Sequence, residues 1–456
     1  MLSAEPGRVL GTDNAAGRCC GPAAALNAST VATGRAVARH TGMADNFRTS
    51  SSRKLILLAT AIVAVLFLAA CPAAWAAADR PQAPQLPSTS LVVASFTSFG
   101  DGYGLFNKGS GSQCQSLVGR TSDGGARFTD LVKVLSSACA DGTQWTIAAD
   151  DTGDVFVYGP GMYASHDHGR SWSLVRGTGQ ILAVAAARQS VWMLRQSCAA
   201  SGVLRCHATL MVSADGGRHW LRSAVQPDGA RYHPSGHPSG PYSDQDWLVR
   251  TGASSGYVLF PPGTARATST SGAGSLNALL RYTSNGGASW VTERVPCARQ
   301  TFDGVTMAAV PGTRDLAAIC SGEPGGLPPI PTQVKLVAIS VNGGRSWRVR
   351  LPCSLDINNA KGCVLANAFT SQIAALSADT IYMAGTEVGL VASHDGGKVW
   401  KAVSLPDGAG ADTYQVQFFG KSDGRVVGIS NAGIVPAIWT TTDGGARWSI
   451  KNVTPG

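Results

Sequence analysis

The chain has 456 residues, with 37 Lys and Arg against 28 Asp and Glu and a formal net charge of +9 at pH 7. The first 78 residues hold seven of the basic and three of the acidic side chains, so the rest carries 30 against 25, or +5. That excess is too small to indicate nucleic-acid binding, which needs a concentrated basic surface.

Residues 1–52 are rich in Ala, Gly and Arg and show no hydrophobic periodicity. One interpretation is a disordered cytoplasmic extension. The other is a mis-assigned start codon, because Met43 would open a signal peptide of ordinary length. The sequence leaves both open.

Residues 53–78 are predicted to be a signal peptide or a membrane anchor. Arg53 and Lys54 precede an apolar run from Leu55 to Leu68, which ends in Leu-Ala-Ala-Cys71. This order of a charged region, an apolar region and a small-residue Cys motif matches the bacterial lipobox. Cys71 is therefore the candidate for lipidation.

Two alternatives to lipidation stay open, partly because Pro72 directly after the cysteine is not ideal for lipoprotein maturation. Cleavage after Ala74-Trp75-Ala76 would release the protein, whereas an uncleaved segment from Leu55 to Ala78 is long enough to span a bilayer. All three interpretations place the remainder outside the cytoplasm. Residues 79–87 are Pro-rich and are predicted to form a tether.

From residue 88 to 456 the chain repeats the motif Ser/Thr-x-Asp/Asn-x-Gly-x-x-Trp/Phe seven times. The third position is Asp123, Asp167, Asp215, Asn285, Asn342, Asp395 and Asp443 in turn. The closing aromatic residue is Phe128, Trp172, Trp220, Trp290, Trp347, Trp400 and Trp448. Successive copies start 44, 48, 70, 57, 53 and 48 residues apart, close to the roughly 40 to 50 residues of a four-stranded propeller blade. We therefore predict an all-β fold, a seven-bladed β-propeller.

Each motif is predicted to be the turn between the third and fourth strands of a blade. The Asp or Asn oxygen would accept hydrogen bonds from turn N–H groups, and the glycines would supply positive φ angles. The aromatic residue would pack inward and anchor the hairpin. Because Asn replaces Asp in two copies, we interpret these positions as turn formers. Predicted blade limits are about 88–140, 141–180, 181–243, 244–298, 299–354, 355–408 and 409–456.

The seven motifs resemble the Asp-box, or BNR, repeat, and the resemblance spans residues 88–456. It implies a β-propeller with one box per blade on the outer rim, away from the central channel. The family includes sialidases, xyloglucan-cleaving glucanases, sortilin-type receptors and photosystem II assembly-factor propellers, so the fold leaves the chemistry open. The chain looks most like the assembly-factor type, in which the blades are the whole protein and no catalytic set is present.

Eight cysteines follow the predicted signal segment, an even number that suits an oxidising compartment. Pairing them in chain order gives Cys114 with Cys139, Cys198 with Cys206, Cys297 with Cys320, and Cys353 with Cys363. The sequence alone leaves the connectivity open. No Cys-x-x-Cys or Cys/His spacing indicates a metal, and we predict neither a metal site nor a cofactor.

The sequence argues against the enzymes of this family. A sialidase would carry a Phe/Tyr-Arg-Ile-Pro motif before the first box, and none is present. A typical glycosidase needs two carboxylates facing each other across a cleft, yet residues 88–456 contain only three glutamates, Glu293, Glu323 and Glu387. Most aspartates outside the boxes lie in Gly- or Ser-rich turns. We predict no catalytic residue.

One insertion is the candidate binding loop, residues 227–247, which widens a box spacing to 70 residues. It carries the aromatic, basic and acidic residues Arg231, Tyr232, His233, His237, Tyr242, Asp244, Asp246 and Trp247. Such residues on a Pro/Gly-rich loop suit a carbohydrate or a protein contact. A variable surface loop is the alternative. His166 and His168, which flank Asp167, are interpreted as exposed turn residues.

The sequence thus predicts an exported, membrane-tethered propeller that serves as a binding or assembly scaffold for an envelope or membrane protein. The alternative is a glycan-directed protein, either a cell-wall binder or a divergent sialidase-like hydrolase. Opposed carboxylates in a central cleft would favour the alternative, and an arginine-rich face would favour the scaffold.

Overall fold

The structure, a computed structural model, describes residues 89–109, 114–135, 139–140, 145–198, 206–225, 231–232, 248–260, 279–297, 304–325, 332–350, 369–386, 389–407, 412–430 and 435–455. The chain divides into two units, Met1–Arg80 and Pro81–Gly456, and all described residues belong to the second. Cys71, the predicted anchor and the tether lie outside them. The described residues contain no helix, and hence none long and apolar enough to cross a membrane.

The first three blades contain thirteen strands. Blade 1 has β1 Thr89–Phe96, β2 Gly102–Lys108, β3 Gln115–Thr121 and β4 Arg127–Leu135. Blade 2 has β5 Thr146–Ala149, β6 Val155–Tyr158, β7 Met162–Ser165 and β8 Ser173–Leu174. Blade 3 has β9 Gln180–Ala187, β10 Ser190–Cys198, β11 Cys206–Ser213 and β12 Leu221–Arg222, with β13 Arg231–Tyr232 also paired to β11.

The last four blades and a terminal strand complete the fold. Blade 4 has β14 Leu248–Arg250, β15 Gly256–Phe260, β16 Leu279–Thr283 and β17 Val291–Glu293. Blade 5 has β18 Gly304–Ala309, β19 Leu316–Gly325, β20 Thr332–Ser340 and β21 Arg348–Arg350. Blade 6 has β22 Phe369–Ala375, β23 Ile381–Thr386, β24 Gly389–Ser393 and β25 Lys401–Ala402. Blade 7 has β26 Asp412–Phe418, β27 Gly424–Ser430, β28 Val435–Thr441 and β29 Ser449–Asn452, and β30 is Thr454–Pro455.

Within every blade the four main strands pair antiparallel in chain order. The prediction of an all-β, seven-bladed propeller is therefore confirmed. In such a meander the first-to-second and third-to-fourth turns lie at the same end of the sheet, which we call the box end because the boxes form the third-to-fourth turns. Thr89, where the described chain begins, lies at the opposite end of blade 1.

The hydrophobic core lies between neighbouring blades, because each sheet buries both faces. Ile319 and Val337 of blade 5, for example, pack in one cluster with Ile373 and Met383 of blade 6. All four side chains are at most 4 % exposed. Second and third strands are consequently rich in buried residues on both faces, and β24 is buried at all five positions. The core thus consists of layers between blades, as a propeller requires.

The described chain closes the ring with β30, which follows blade 7 but joins the sheet of blade 1, a feature that the sequence did not reveal. Strand β30 adds to the outer edge of β4 in parallel, with Thr454 N–H donating to the Ala126 carbonyl at 3.0 Å. Val453 packs in the cluster that joins Phe96 and Phe128 of blade 1 to Ile438 of blade 7. We call this junction of blades 7 and 1 the seam.

Two disulfides join cysteines of the described residues. Cys114 bonds to Cys139 across 25 residues, and Cys297 bonds to Cys320 across 23 residues. The second bridge links the segment after β17 of blade 4 to β19 of blade 5, so it staples neighbouring blades. The backbone register of β10 and β11 places Cys198 opposite Cys206. Cys353 and Cys363 lie outside the described residues.

Candidate functional site

The seven boxes form the same hydrogen-bonded turn. The first residue donates its hydroxyl to the Oδ1 atom of the third at 2.7–3.0 Å. That hydroxyl oxygen accepts the N–H of the fifth residue at 2.8–3.1 Å. The Oδ1 atom also accepts the N–H of the seventh residue at 2.9–3.0 Å. The Asp and Asn oxygens are therefore used within the turns.

Hydrogen bonding lowers the pKa of the box aspartates. The Ser171 hydroxyl and N–H hold the pKa of Asp167 at about 2. The Val399 N–H has the largest effect on Asp395, whose pKa is also lowered. At Asp123 burial raises the pKa, but hydrogen bonds from Arg127 and Thr121 outweigh it, so the net shift is downward. These carboxylates stay ionised at neutral pH and are poor proton donors.

The aromatic residues of the boxes all pack in or against the hydrophobic clusters between blades, but they are buried to different extents. Phe128 is fully buried and Trp400 and Trp448 are each 8 % exposed, but the other four tryptophans are only half-buried. The indole N–H groups of Trp172, Trp290, Trp400 and Trp448 donate to the carbonyl of the glycine at the fifth box position. Trp220 has no hydrogen-bond partner for its indole among the described residues.

Six of the seven box turns are tied to the neighbouring turn of the same blade. In blade 3 the Gly216 N–H donates to the Gln189 carbonyl at 2.8 Å, and in blade 7 the Gly444 N–H donates to the Ser422 carbonyl at 2.8 Å. Blades 1, 2, 4 and 6 have the equivalent bond. Gly216 and Gly217 have φ angles of 71° and 83°, which explains their glycines. The box end is therefore a rigid, doubly linked rim.

A cavity of about 710 Å³ is lined by the first strands of all seven blades and is the central channel. Its wall is rich in small residues such as Ala148, Ala185 and Ala374, because the inner strands converge on the axis. Asp150 and Asp151 are the carboxylates among the described lining residues. They are adjacent on one turn of blade 2, so this lining does not form the opposed pair that glycoside hydrolysis uses.

Two buried aspartates of blade 2 were not distinguished by sequence from ordinary turn residues. Asp150 is 4 % exposed, and its Oδ1 atom accepts from Thr152 and Asp154. Burial raises the pKa of Asp150. The Oδ1 atom of Asp154 lies 2.8 Å from Nδ1 of His166 and 3.9 Å from Nη2 of Arg218 in blade 3. His166 is thus partly buried and paired, which corrects its interpretation as an exposed turn residue.

The cluster around Asp154 has the form of a structural ion pair that links blades 2 and 3. An imidazole oriented by a carboxylate resembles a catalytic base. Among the described side chains, however, only Asp154 is within hydrogen-bond reach of His166, so a nucleophile is missing there. His168 is exposed, and its Nδ1 atom lies 3.4 Å from the Tyr103 hydroxyl. No sequence pattern could have found these pairs, since they depend on how the turns stack.

Three arginines lie over aromatic rings at junctions between blades. The guanidinium carbon of Arg425 is 3.6 Å from the Phe96 ring centre, and Arg425 also donates to the Phe99 carbonyl. The corresponding distances are 3.9 Å for Arg250 over Trp192 and 4.3 Å for Arg314 over Tyr282. Burial lowers the pKa of Arg250 and of Arg425 to about 10. Both remain charged at neutral pH, and their packing assigns them to the scaffold.

The predicted binding loop is described only at Arg231 and Tyr232, whose backbone forms β13. His233, His237, Tyr242, Asp244, Asp246 and Trp247 lie outside the described residues. Its role therefore stays a prediction. Among the described residues, no group of three or more His, Cys, Asp or Glu side chains could hold a metal ion.

A scan against protein-family models finds no match, and a search of curated proteins finds none either. Solved structures do match. YCF48 bound to a D1 peptide has a TM-score of 0.46 at 16 % identity over 79 % of this chain and 95 % of that one. YCF48 from Cyanidioschyzon merolae has a TM-score of 0.46 at 17 % identity, over 79 % and 98 %. The GH74 xyloglucanase from Xanthomonas campestris has a TM-score of 0.44 at 15 % identity, over 79 % and 60 %. The similarity is one of fold.

Proposed function

We propose that this protein is an exported, membrane-tethered propeller that binds an envelope protein as a non-catalytic assembly scaffold. The observation that carries the proposal is that the groups at the box end that form the turns differ from the groups that stay exposed. Box hydroxyls, carboxylates and amides are used in turn hydrogen bonds, and the turns are linked in pairs. Beside these groups the rim exposes cationic and aliphatic side chains.

The exposed aliphatic residues recur from blade to blade on or beside the outer strands. Leu174 is 54 % exposed, Leu221 71 %, Val291 60 %, Val349 45 % and Val399 55 %. Isolated exposed aliphatic residues are ordinary, but repetition on a rigid rim, with exposed Arg or Lys in six boxes, favours contact with a protein. A rigid surface loses little conformational entropy on binding, which suits a scaffold.

The test is in-cell crosslinking of the tagged protein in its own host, followed by mass spectrometry of the captured envelope components. The proposal expects one membrane or envelope protein in near-stoichiometric amount. Capture of wall polysaccharide without a dominant protein would contradict it and support the glycan-directed alternative. A photoreactive residue in place of Leu174 or Val399 would show which part of the rim contacts the captured protein. The untagged protein is the control for non-specific capture.

A further inference from the structure

The seam differs from the other six junctions between blades, because the chain does not run on from blade 7 into the first strand of blade 1. Among the described strands only β30 crosses it. At the box end, side chains of blade 7 hold blade 1 by donating to its backbone carbonyls. Gln417 Nε2 donates to the Phe96 carbonyl at 3.2 Å, and Arg425 donates to the Phe99 carbonyl.

Arg425 is a buried cation without a carboxylate partner at this seam. The residue is 1 % exposed, and none of the carboxylates that the structure describes lies within ion-pair distance of it. Its Nε and Nη1 atoms have no hydrogen-bond partner among the described residues. The surroundings are aromatic, since the guanidinium carbon lies 3.6 Å from the ring centre of Phe96, 5.3 Å from that of Phe419 and 5.6 Å from that of Phe99.

The closed seam therefore carries the cost of a desolvated charge. Burial lowers the pKa of Arg425 to about 10, so the contacts around the guanidinium do not offset its lost hydration. A methyl group on Gly124 of box 1 would lie 3.0 Å from Arg425 Nη2 and 3.2 Å from Lys451 Nζ, so a second cation of blade 7 lies against the same glycine. A movement of blade 1 away from these groups would let water reach the guanidinium and would remove the cost.

Arg250, at the junction of blades 3 and 4, provides the comparison. Its guanidinium carbon lies 3.9 Å from the Trp192 ring centre, its Nε and Nη1 atoms have no described hydrogen-bond partner, and burial lowers its pKa to about 10. There, however, the chain runs on from blade 3 into blade 4. A similar buried charge thus exists at two junctions, but only at the seam is it not accompanied by a direct connection from one blade into the next.

We propose that the box end of the seam is a side gate of the central channel, which opens when the linked turns of blade 1 move away from Arg425. These turns move together, because the Gly124 N–H of box 1 donates to the Gly100 carbonyl of the first-to-second turn at 2.8 Å. Phe96 and Arg425 both line the channel, so the movement widens the channel on that side. Phe128 and Ile438 stay packed in one buried cluster across the seam, which confines the opening to the box end.

Hydrogen exchange of the full-length protein, read by mass spectrometry, tests the gate. R425M removes the charge but keeps a long apolar side chain, so it should slow exchange in the turns 97–101 and 122–126 by at least about threefold. R425K keeps the charge but loses the planar group that stacks on Phe96, so it should speed exchange in both turns. The matched control R250M removes a stacked arginine from the junction of blades 3 and 4 and should change exchange in these turns by less than about twofold.

Spin labels at the exposed residues Ser122 of box 1 and Lys421 of blade 7 give a second readout that does not require R425M to fold. The native protein should show a second, longer label-to-label distance, and its share should grow in R425K and shrink in R425M. Faster exchange in R425M would overturn the inference, as would equal effects of R425M and R250M on the two turns. A single label-to-label distance that R425K leaves unchanged would also overturn it. The gate concerns the ring itself, so these outcomes leave the scaffold function untouched.

Discussion

At the scale of single residues, the box aspartates act through their oxygen atoms as acceptors, and their charge is secondary. Asp395 shows this most simply, because its Oδ1 atom accepts the Ser393 hydroxyl and the N–H groups of Lys398 and Val399 at 2.9–3.0 Å. Asn285 and Asn342 hold the same kind of turn in boxes 4 and 5. The chain thus contains its own controls for the substitution of Asp by Asn.

Asp395→Ala should therefore destabilise the protein by about 1 kcal/mol, because it removes the acceptor for all three bonds. Asp395→Asn should cost less than about 0.5 kcal/mol, because the amide oxygen replaces it. Urea unfolding of both variants beside the native protein measures the difference. Asn342→Asp is the reciprocal control and should be close to neutral. If Asp395→Asn were as damaging as Asp395→Ala, the charge would be essential and the acceptor argument would fail.

At the scale of elements, the two-residue strand β30 has a role out of proportion to its length. It is the only described strand that pairs two distant parts of the chain at the seam, through its parallel contact with β4. Neighbouring contacts support it, since Lys451 Nζ donates to the Asp123 carbonyl at 2.6 Å and Gln417 Nε2 to the Phe96 carbonyl at 3.2 Å.

Thr454→Pro should weaken the seam, because proline lacks the N–H that donates to the Ala126 carbonyl. We expect a loss of about 1 kcal/mol and faster hydrogen exchange in β4. Thr454→Ala keeps the N–H and is the matched control. Hydrogen exchange read by mass spectrometry resolves the effect by strand. Unchanged exchange in β4, or an equal change in Thr454→Ala, would show that β30 does not hold the seam.

At the scale of the whole molecule, the box aspartates make the free energy of unfolding depend on pH in the acid range. A carboxylate whose pKa is lower in the folded state stabilises that state above its ordinary pKa of about 4, and the contribution is lost as pH falls through the folded pKa. The pKa values of Asp123, Asp167, Asp395 and Asp443 are all lowered, that of Asp167 to about 2. Their contributions are distributed around the ring.

The urea midpoint should therefore fall as pH drops from about 4 towards about 2, with little box contribution to pH dependence above about 5. Asp167→Asn should flatten this acid-side fall. Asp150→Asn should leave the slope below about pH 4 unchanged and should alter the slope above about pH 4, because burial raises the pKa of Asp150 and the stability it contributes is lost as pH rises through its folded pKa. Urea titrations at a series of pH values measure the three slopes. Identical slopes would contradict the assigned pKa directions.

The sequence by itself determined the number of blades and the place of each box. The motif needs only hydrogen bonds between residues up to four positions apart, so every copy can be recognised in the sequence, and the number of copies gives the number of blades. Contacts between residues of different blades could not be predicted from the sequence. The pairing of Asp154 with Arg218, the stacking of Arg425 on Phe96 and the hydrogen bond from the Trp347 indole to the Arg294 carbonyl join residues whose distance depends on how blades pack.

Tertiary structure alone decided the closure of the ring and the composition of its surfaces. Closure involves the two-residue strand β30, which pairs with β4 although the two strands lie far apart in the sequence. So short a segment has no distinctive periodicity. The exposure of Leu221 and Val291 on the outer strands was equally hidden, because packing between blades decides which apolar side chains stay exposed. The boxes can be recognised in the sequence because they depend on short-range hydrogen bonds. Packing between blades, by contrast, decides which charged side chains lie on the surface.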